Sequence, residues 1–304
     1  MKTPLLLTGG TGFMGQLLVQ ALGREVPEQA IVCVTRSADG HEQLRALHPQ
    51  LTFVMGDTAI ASSWDAALIQ YQPETVMHLV QLRQVPTLLA SLQRAQLTPR
   101  LIIIGTTGVY SRYNQYSQEY REAEAGLQRY GGAYCLFRPT MIYGSPRDKN
   151  LHKLIRFCDR YGGFPVFGSG QSLLQPVHAG DLAQALLTAY LNPDITGGYD
   201  LSGGSVVSFL ELLALVEKLL QKPVRPLKIP YNLGVWSATL LESVLGRRSP
   251  VRREQILRLQ EDKAYSHDAA TAAFGYQPRS LEAGLTEEVE LLRASGLIKP
   301  SGKT

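Results

Sequence analysis

Apolar residues in the first half of the chain come as short unbroken runs, with amphipathic stretches between them. Leu5–Leu7, Ala30–Thr35, Leu51–Met55, Thr75–Val80 and Leu101–Ile104 are continuous or nearly so. Such runs suit strands covered on both faces, as in a parallel sheet. Between them, Gln16–Leu22, Ser62–Ile69 and Val85–Ala95 place apolar residues at helical spacing. Gly23 reads as the C-cap of the first helix. Five strands alternating with helices predict an α/β fold, a doubly wound parallel Rossmann sheet.

The pattern changes after Gly144. Leu151–Tyr161, Ser208–Leu220, Leu233–Leu245, Arg253–Gln260 and Asp268–Phe274 read as helices, and Phe164–Gly170 as a turn-rich apolar loop. The expected organisation is a nucleotide-binding domain over residues 1–145, rejoined by 171–195. A smaller C-terminal α/β substrate lobe takes 146–170 and 196–304. Leu233–Leu245, which contains Trp236, reads as core of that lobe, with a membrane-surface or partner face as the alternative, and is too short to span a bilayer. Residues 300–304 read as a frayed end.

Thr8-Gly9-Gly10-Thr11-Gly12-Phe13-Met14-Gly15 lies between the first strand and the first helix. Gly9 permits a sharp exit from the strand, and Gly12 lets backbone amides approach a pyrophosphate. Gly15 lets the helix sit close. The helix N-terminus, with Thr11, Phe13 and Met14 around it, offers free N–H groups and a partial positive charge to phosphates. About twenty residues past this turn, the second strand ends in Thr35-Arg36-Ser37. An acidic residue there would bond the ribose 2′-hydroxyl of NAD, whereas the Arg36 guanidinium suits the 2′-phosphate of NADP. NADP is the expected cofactor, and the nearby Asp39 keeps NAD open.

Composition narrows the classes. The chain has 304 residues, 44% of them hydrophobic, which is enough to bury a large core. Net charge is +4, and its 30 basic residues are scattered apart from clusters such as Arg247-Arg248 and Arg252-Arg253. That suits an anionic small molecule rather than nucleic acid. Cys33, Cys135 and Cys158 lack CxxC spacing and read as reduced core thiols, with no metal site, in a cytoplasmic protein. Lys2 and Thr3 lead straight into the first strand, so no secretory leader is expected, and no apolar run is long enough for a membrane span.

Further motifs follow in a recognisable order. They are Gly56-Asp57, His78-Leu79-Val80, Gly105–Tyr110, Arg138–Gly144, Pro176–Ala183, Tyr199–Gly204, and Phe274–Arg279 with Gly284-Leu285. In this order, over nearly the whole chain, the sequence resembles the extended short-chain dehydrogenase/reductase family of NAD(P)-dependent nucleotide-sugar epimerases and dehydratases. The resemblance implies a small-molecule substrate, a nucleotide-linked sugar, and a homodimer. It implies that Asp57, followed by Thr58, contacts adenine, and that His78, Leu79 and Val80 line the ribose side. Pro139 to Tyr143, including Ile142, would pack along the nicotinamide. Thr106 matches the family's catalytic Ser or Thr, whose hydroxyl holds the substrate oxygen that gains or loses hydride. Asp181 reads as an N-cap for Leu182–Leu191. Lys149, Lys153 and Arg156 are candidates to meet a substrate phosphate.

One departure is serious. The family's base is a Tyr followed four residues later by Lys, whose ammonium lowers the Tyr pKa toward neutrality. This chain has no Lys between Lys2 and Lys149. Alignment on Glu122-Ala123-Glu124 puts Tyr116 at the Tyr and Tyr120 at the Lys, with Arg121 adjacent. The stretch from Thr106 to Tyr116 is short, so Tyr113 and Tyr110 are rivals to Tyr116. Losing roughly three pKa units of activation removes about 4 kcal/mol of favourable ionisation. The sequence therefore resembles atypical extended members. Two readings stay open: an NAD(P)-dependent oxidoreductase or epimerase/dehydratase with an incomplete Tyr-Lys motif, or a non-catalytic NADP-binding sensor, structural or assembly protein.

Overall fold

The computed structural model describes residues 3–148, 150–246 and 253–300. Lys149, the arginines 247, 248 and 252, and the tail 301–304 lie outside the described residues.

The first half alternates as the apolar runs predict. Its elements are β1 (Leu5–Thr8), α1 (Phe13–Glu25), β2 (Ile31–Thr35), α2 (His41–Leu47), β3 (Leu51–Met55), α3 (Ala61–Tyr71), β4 (Thr75–His78), α4 (Val85–Ala95) and β5 (Arg100–Ile104). A 3-10 turn over Thr107–Tyr110 leads to α5 (Ser117–Gln128), β6 (Tyr134–Pro139) and the short β7 (Ile142–Tyr143). Next come α6 (Leu151–Tyr161), β8 (Gly163–Phe167), β9 (Leu173–Leu174), β10 (Val177–His178), α7 (Ala179–Leu191) and β11 (Gly197–Leu201). The chain continues through β12 (Val207–Ser208), α8 (Phe209–Leu220), β13 (Arg225–Ile229), α9 (Tyr231–Leu245), α10 (Arg253–Arg258), α11 (Asp268–Phe274) and α12 (Leu281–Ala294).

Seven parallel strands form the central sheet in the order β11-β6-β5-β4-β1-β2-β3. The chain winds from β1 outward to β3, then returns to the other side of β1 with β4. The carboxyl ends of β1 and β4 therefore flank the point where winding reverses, which is where open α/β sheets bind ligands. One face of the sheet packs Leu5, Leu7 and Ile102 under α1 and α7. The other packs Leu6, Val76 and Ile103 under α3, α4 and α5. A third cluster joins α6, α8 and α12 through residues such as Ile155, Val216 and Leu285.

Four local readings change. Phe164–Phe167, expected in a loop, belongs to β8, which pairs with β13. Gly23 is inside α1 rather than at its end, and Val26 is the C-cap. A Cβ on Gly23 would lie 2.1 Å from the Leu47 carbonyl oxygen, so the glycine serves the approach of α1 to the end of α2. His178, not Asp181, caps α7: its Nδ1 accepts the Gly180 amide at 3.1 Å. Asp181, in the first turn, instead pairs with Arg279 at 2.9 Å. The helix α9 is not buried core. Gly234 and Ala238 face inward, with a Gly234 Cβ only 2.5 Å from the Phe167 ring, while Leu233 is 52% and Trp236 65% exposed. Gly234 and Ala238 set the contact, and Leu233 and Trp236 point outward. The three cysteines are free and buried, and burial pushes the Cys33 thiol up to about 11.

Candidate functional site

The glycine turn is built for a negative ligand. Gly9 has φ +78°, a backbone conformation that side chains disfavour. Its missing Cβ would meet the Val80 side chain at 3.0 Å and the Leu79 carbonyl at 3.2 Å. Leu79 donates its N–H to the Thr8 carbonyl, which locks the end of β4 to the end of β1. Gly12 is exposed and extended at the N-cap of α1, and its amide returns to the Gly9 carbonyl at 3.0 Å. The helix has no side-chain cap and no acidic residue in its first turn. The amides of Phe13, Met14 and Gly15 thus end a 13-residue helix with no described partner. A Cβ on Gly15 would lie 2.1 Å from the Gly9 carbonyl oxygen, so helix and turn pack backbone to backbone. Bare amides, a helix dipole and an open glycine at the reversal of the sheet fit a pyrophosphate. A dinucleotide's phosphates would be held by the residue 9–15 turn.

The other expected cofactor residues gather along the same edge. Arg36 is exposed just past β2, and no described residue pairs with it. Asp39 accepts the Ser37 hydroxyl at 2.6 Å in its own local turn. Asp57 is half-buried, and its Oδ1 accepts the Ala59 amide. Thr58 donates to Gln84 at 2.7 Å, and the Trp64 indole donates to the Thr58 carbonyl. His78 is fully buried, sharing a 2.9 Å hydrogen bond with Thr8 Oγ1. Burial pushes its imidazole down to about 4, so it is neutral at pH 7 and braces β1 against β4. Pro139 ends β6, where its carbonyl accepts the Thr107 hydroxyl, and Ile142 lies in β7 beside Val177.

Thr106 stands at the end of β5. Its Oγ1 accepts the Gly108 amide at 3.0 Å, which leaves its own proton to be donated. It lines a cavity of about 400 Å³ with Thr140, Arg258, Glu261, Lys263 and Tyr265. None of the candidate tyrosines joins it there. Tyr116 is the N-cap of α5, with the Arg83 guanidinium 4.6 Å over its ring. Tyr113 is exposed and borders a neighbouring cleft with Arg112 and Asp262. Tyr110 donates to Asp200 at 3.0 Å. Burial, with the Asp200 carboxylate adding to it, pushes its phenol up to about 12. Tyr120 packs into the apolar cluster under α5. The structure thus brings Thr106 to a cavity and leaves Tyr110, Tyr113 and Tyr116 outside its lining.

Lys153 and Arg156 border a different cleft of about 790 Å³, with Arg160, Arg293 and Lys299, which shares no lining residue with the Thr106 cavity. The residues that sequence reasoning missed are Arg258, Glu261, Lys263 and Tyr265. Their only signal was a polar segment between two short helices. Nothing in that spacing shows that the segment folds back over the carboxyl ends of β5 and β6.

The chain matches the NAD dependent epimerase/dehydratase family over residues 5–200. It is 24% identical over 281 residues to the mitochondrial NADH dehydrogenase [ubiquinone] 1 alpha subcomplex subunit 9 of Arabidopsis thaliana, covering 86% of this chain and 69% of the relative. An NADPH-dependent quinone oxidoreductase from Escherichia coli, solved with NADPH, shares its fold with a TM-score of 0.75 at 18% identity, over 95% and 99% of the two chains. UDP-glucuronic acid 4-epimerase from Bacillus cereus, solved with UDP-glucuronic acid and NAD, gives 0.74 at 18% identity, over 97% and 100%.

Proposed function

The chain belongs to the NAD dependent epimerase/dehydratase family, and we propose that it binds NADP across the β1–β4 crevice and acts on a nucleotide-linked sugar. It is an enzyme of that nicotinamide-dependent kind. The observation that carries the reading is the uncapped N-terminus of α1, with Gly12 open before it, at the reversal of the sheet. The turn from Gly9 to Gly15 holds the pyrophosphate on backbone amides. The exposed, unpaired Arg36 grips the 2′-phosphate, and Asp39, occupied by Ser37, leaves that role to it. Asp57 and Thr58 border adenine, Leu79 and Val80 the ribose side, and Pro139 and Ile142 the nicotinamide. Bound nicotinamide supplies or removes a hydride. Thr106 holds the substrate oxygen by donating its free proton to it. On the family pattern, proton exchange falls to Tyr116 or Tyr113. Neither lines the cavity of Thr106, and no lysine stands four residues on from either.

The test is conversion. Purified protein with NADP⁺ or NAD⁺ is incubated with a panel of UDP- and dTDP-hexoses, and products are resolved by chromatography. One hexose is expected to be isomerised or dehydrated. Thr106→Ala is expected to abolish turnover without changing cofactor affinity, and Tyr116→Phe to test the tyrosine's share. Tight cofactor binding with no conversion and no hydride exchange would favour the second reading, a non-catalytic NADP-binding subunit. Two observations favour that reading: Tyr120 stands where the family has its lysine, and one relative is by name a subunit of NADH dehydrogenase.

A further inference from the structure

The segment Glu261–Tyr265 lines the Thr106 cavity through Glu261, Lys263 and Tyr265 and is pinned at several points. Glu261 accepts the Ser111 hydroxyl at 2.6 Å and the Arg112 amide at 2.7 Å. Asp262 accepts the Leu173 amide, and the Lys263 amide donates back to the Leu173 carbonyl at 2.7 Å. The Tyr265 amide donates to Gln175, which itself donates to the Gly203 carbonyl. Lys263 therefore stands on rigid backbone, half-buried, with its side chain lining the cavity that Thr106 lines. No described hydrogen bond or ion pair holds its amine. Glu261, a carboxylate lining the same cavity, is committed to Ser111 and Arg112, and Arg258 faces the cavity from α10.

We propose that Lys263 is the proton-transferring residue of this cavity, exchanging its proton with the substrate oxygen that Thr106 hydrogen-bonds. The inference rests on the proposed hydride chemistry and gives Lys263 the proton exchange that the family pattern gives to a tyrosine, since neither Tyr116 nor Tyr113 lines this cavity. In the reducing direction the carbonyl carbon gains hydride from the reduced nicotinamide. Its oxygen takes a proton from the Lys263 ammonium, and an alcohol and a neutral amine result. Oxidation runs the same transfer backward.

The electrostatics agree. Burial, helped by the like charge of Arg258 and opposed by Glu261, pushes the Lys263 amine down to about 8. Both protonation states are then accessible near neutral pH, as a group that gives and regains a proton requires. Of the other groups around it, Tyr265 also lines the cavity, while Asp262 and Arg112 flank Glu261. Thr106, Ser111 and Asn150, which also line the cavity, do not titrate in this range.

The experiment compares wild type with Lys263→Arg and Lys263→Met. Reductive methylation with ¹³C-formaldehyde labels the lysines, and the resonance missing from both variants is that of Lys263. It is expected to titrate near 8, and titration near the ordinary 10.4 would overturn the proposal. NADPH affinity, followed by cofactor fluorescence, is expected to be equal in all three proteins. Reduction of 9,10-phenanthrenequinone by the NADPH-loaded wild type is expected to fall above about pH 8. Lys263→Met is expected to lose about 100-fold or more in kcat, the usual weight of a general acid, with partial rescue by added methylammonium. A Met variant within threefold of wild type overturns the proposal. Failure of wild type to bind NADPH overturns the hydride reading instead, and the lysine titration stays readable on its own.

Discussion

Substituting Gly12 and Gly15 separately should divide the glycine turn into a part that binds and a part that folds. At Gly15 a Cβ would sit 2.1 Å from the Gly9 carbonyl oxygen and 2.7 Å from the Gly10 Cα, where ordinary contact begins near 3.4 Å. Both obstacles are backbone, so α1 must retreat by about 1.3 Å, the difference between 3.4 and 2.1 Å. That retreat lifts Leu18, Val19 and Leu22 from the sheet and disturbs the seam with α7. Overpacking of this kind costs about 1–3 kcal/mol, and rigid backbone on the obstructing side favours the upper end. In a chain of this size that is a fall of several degrees in Tm. At Gly12 the backbone is extended, with φ −69° and ψ 168°, which any residue adopts. A Cβ there lies 3.1 Å from the Gly9 oxygen, so a few tenths of an ångström suffice and stability should fall by less than about 1 kcal/mol. That Cβ stands instead where the pyrophosphate must approach the amides. Thermal unfolding of the cofactor-free proteins and fluorescence titration with NADPH read the two effects. Gly15→Ala is expected to lower Tm by several degrees. Gly12→Ala is expected to keep Tm within two or three degrees and to weaken NADPH at least tenfold, about 1.4 kcal/mol. If Gly12→Ala binds NADPH within twofold of wild type, the phosphates do not lie on this turn.

Two further predictions concern buried charge. Glu288 is fully buried, accepts the Gly144 amide at 3.2 Å, and is pushed up to about 10 by burial and by the Asp148 carboxylate beside it. The folded protein holds that proton and the unfolded chain releases it near the ordinary 4.5, so its stabilisation is full below about 4.5 and is lost as pH rises through about 10. Urea unfolding should show Glu288→Gln losing less stability than wild type between pH 6 and 9, and parallel curves would refute the assignment. Arg138 binds Glu124 through two nitrogens at 2.7 and 2.8 Å and reaches Asp200 at 3.5 Å, tying α5 to β6 and β11. Arg138→Ala strands two carboxylates and should cost about 3–5 kcal/mol in the same assay, and a loss below 1 kcal/mol would contradict a buried network.

Much of this molecule is legible in the sequence because its central sheet is parallel. A strand covered on both faces must be apolar throughout, so β1, β2, β4 and β5 stand out as runs, and the glycines at 9, 12 and 15 mark a turn where backbone meets backbone. Helix ends were harder. Gly23 looked like a cap because glycine usually ends a helix, yet its use is the approach of Leu47. Asp181 looked like a cap because it precedes an apolar helix, yet His178 caps it and Asp181 answers Arg279, 98 residues away. Leu233 and Trp236 gave an apolar helix whose outward face only the fold reveals. Thr106 was legible through the family resemblance, which places a Ser or Thr at that position. Lys263 was not, because its place in the cavity depends on contacts with Leu173 and Ser111 that have no local trace.

The most direct test of the nucleotide site is titration of the purified, nucleotide-free protein with NADPH and with NADH, followed by cofactor fluorescence, in wild type and Arg36→Ala. The predicted result is tight NADPH binding, NADH weaker by tenfold or more, and a loss of that difference in Arg36→Ala. Binding of neither nucleotide by the folded wild type would contradict the account at its base.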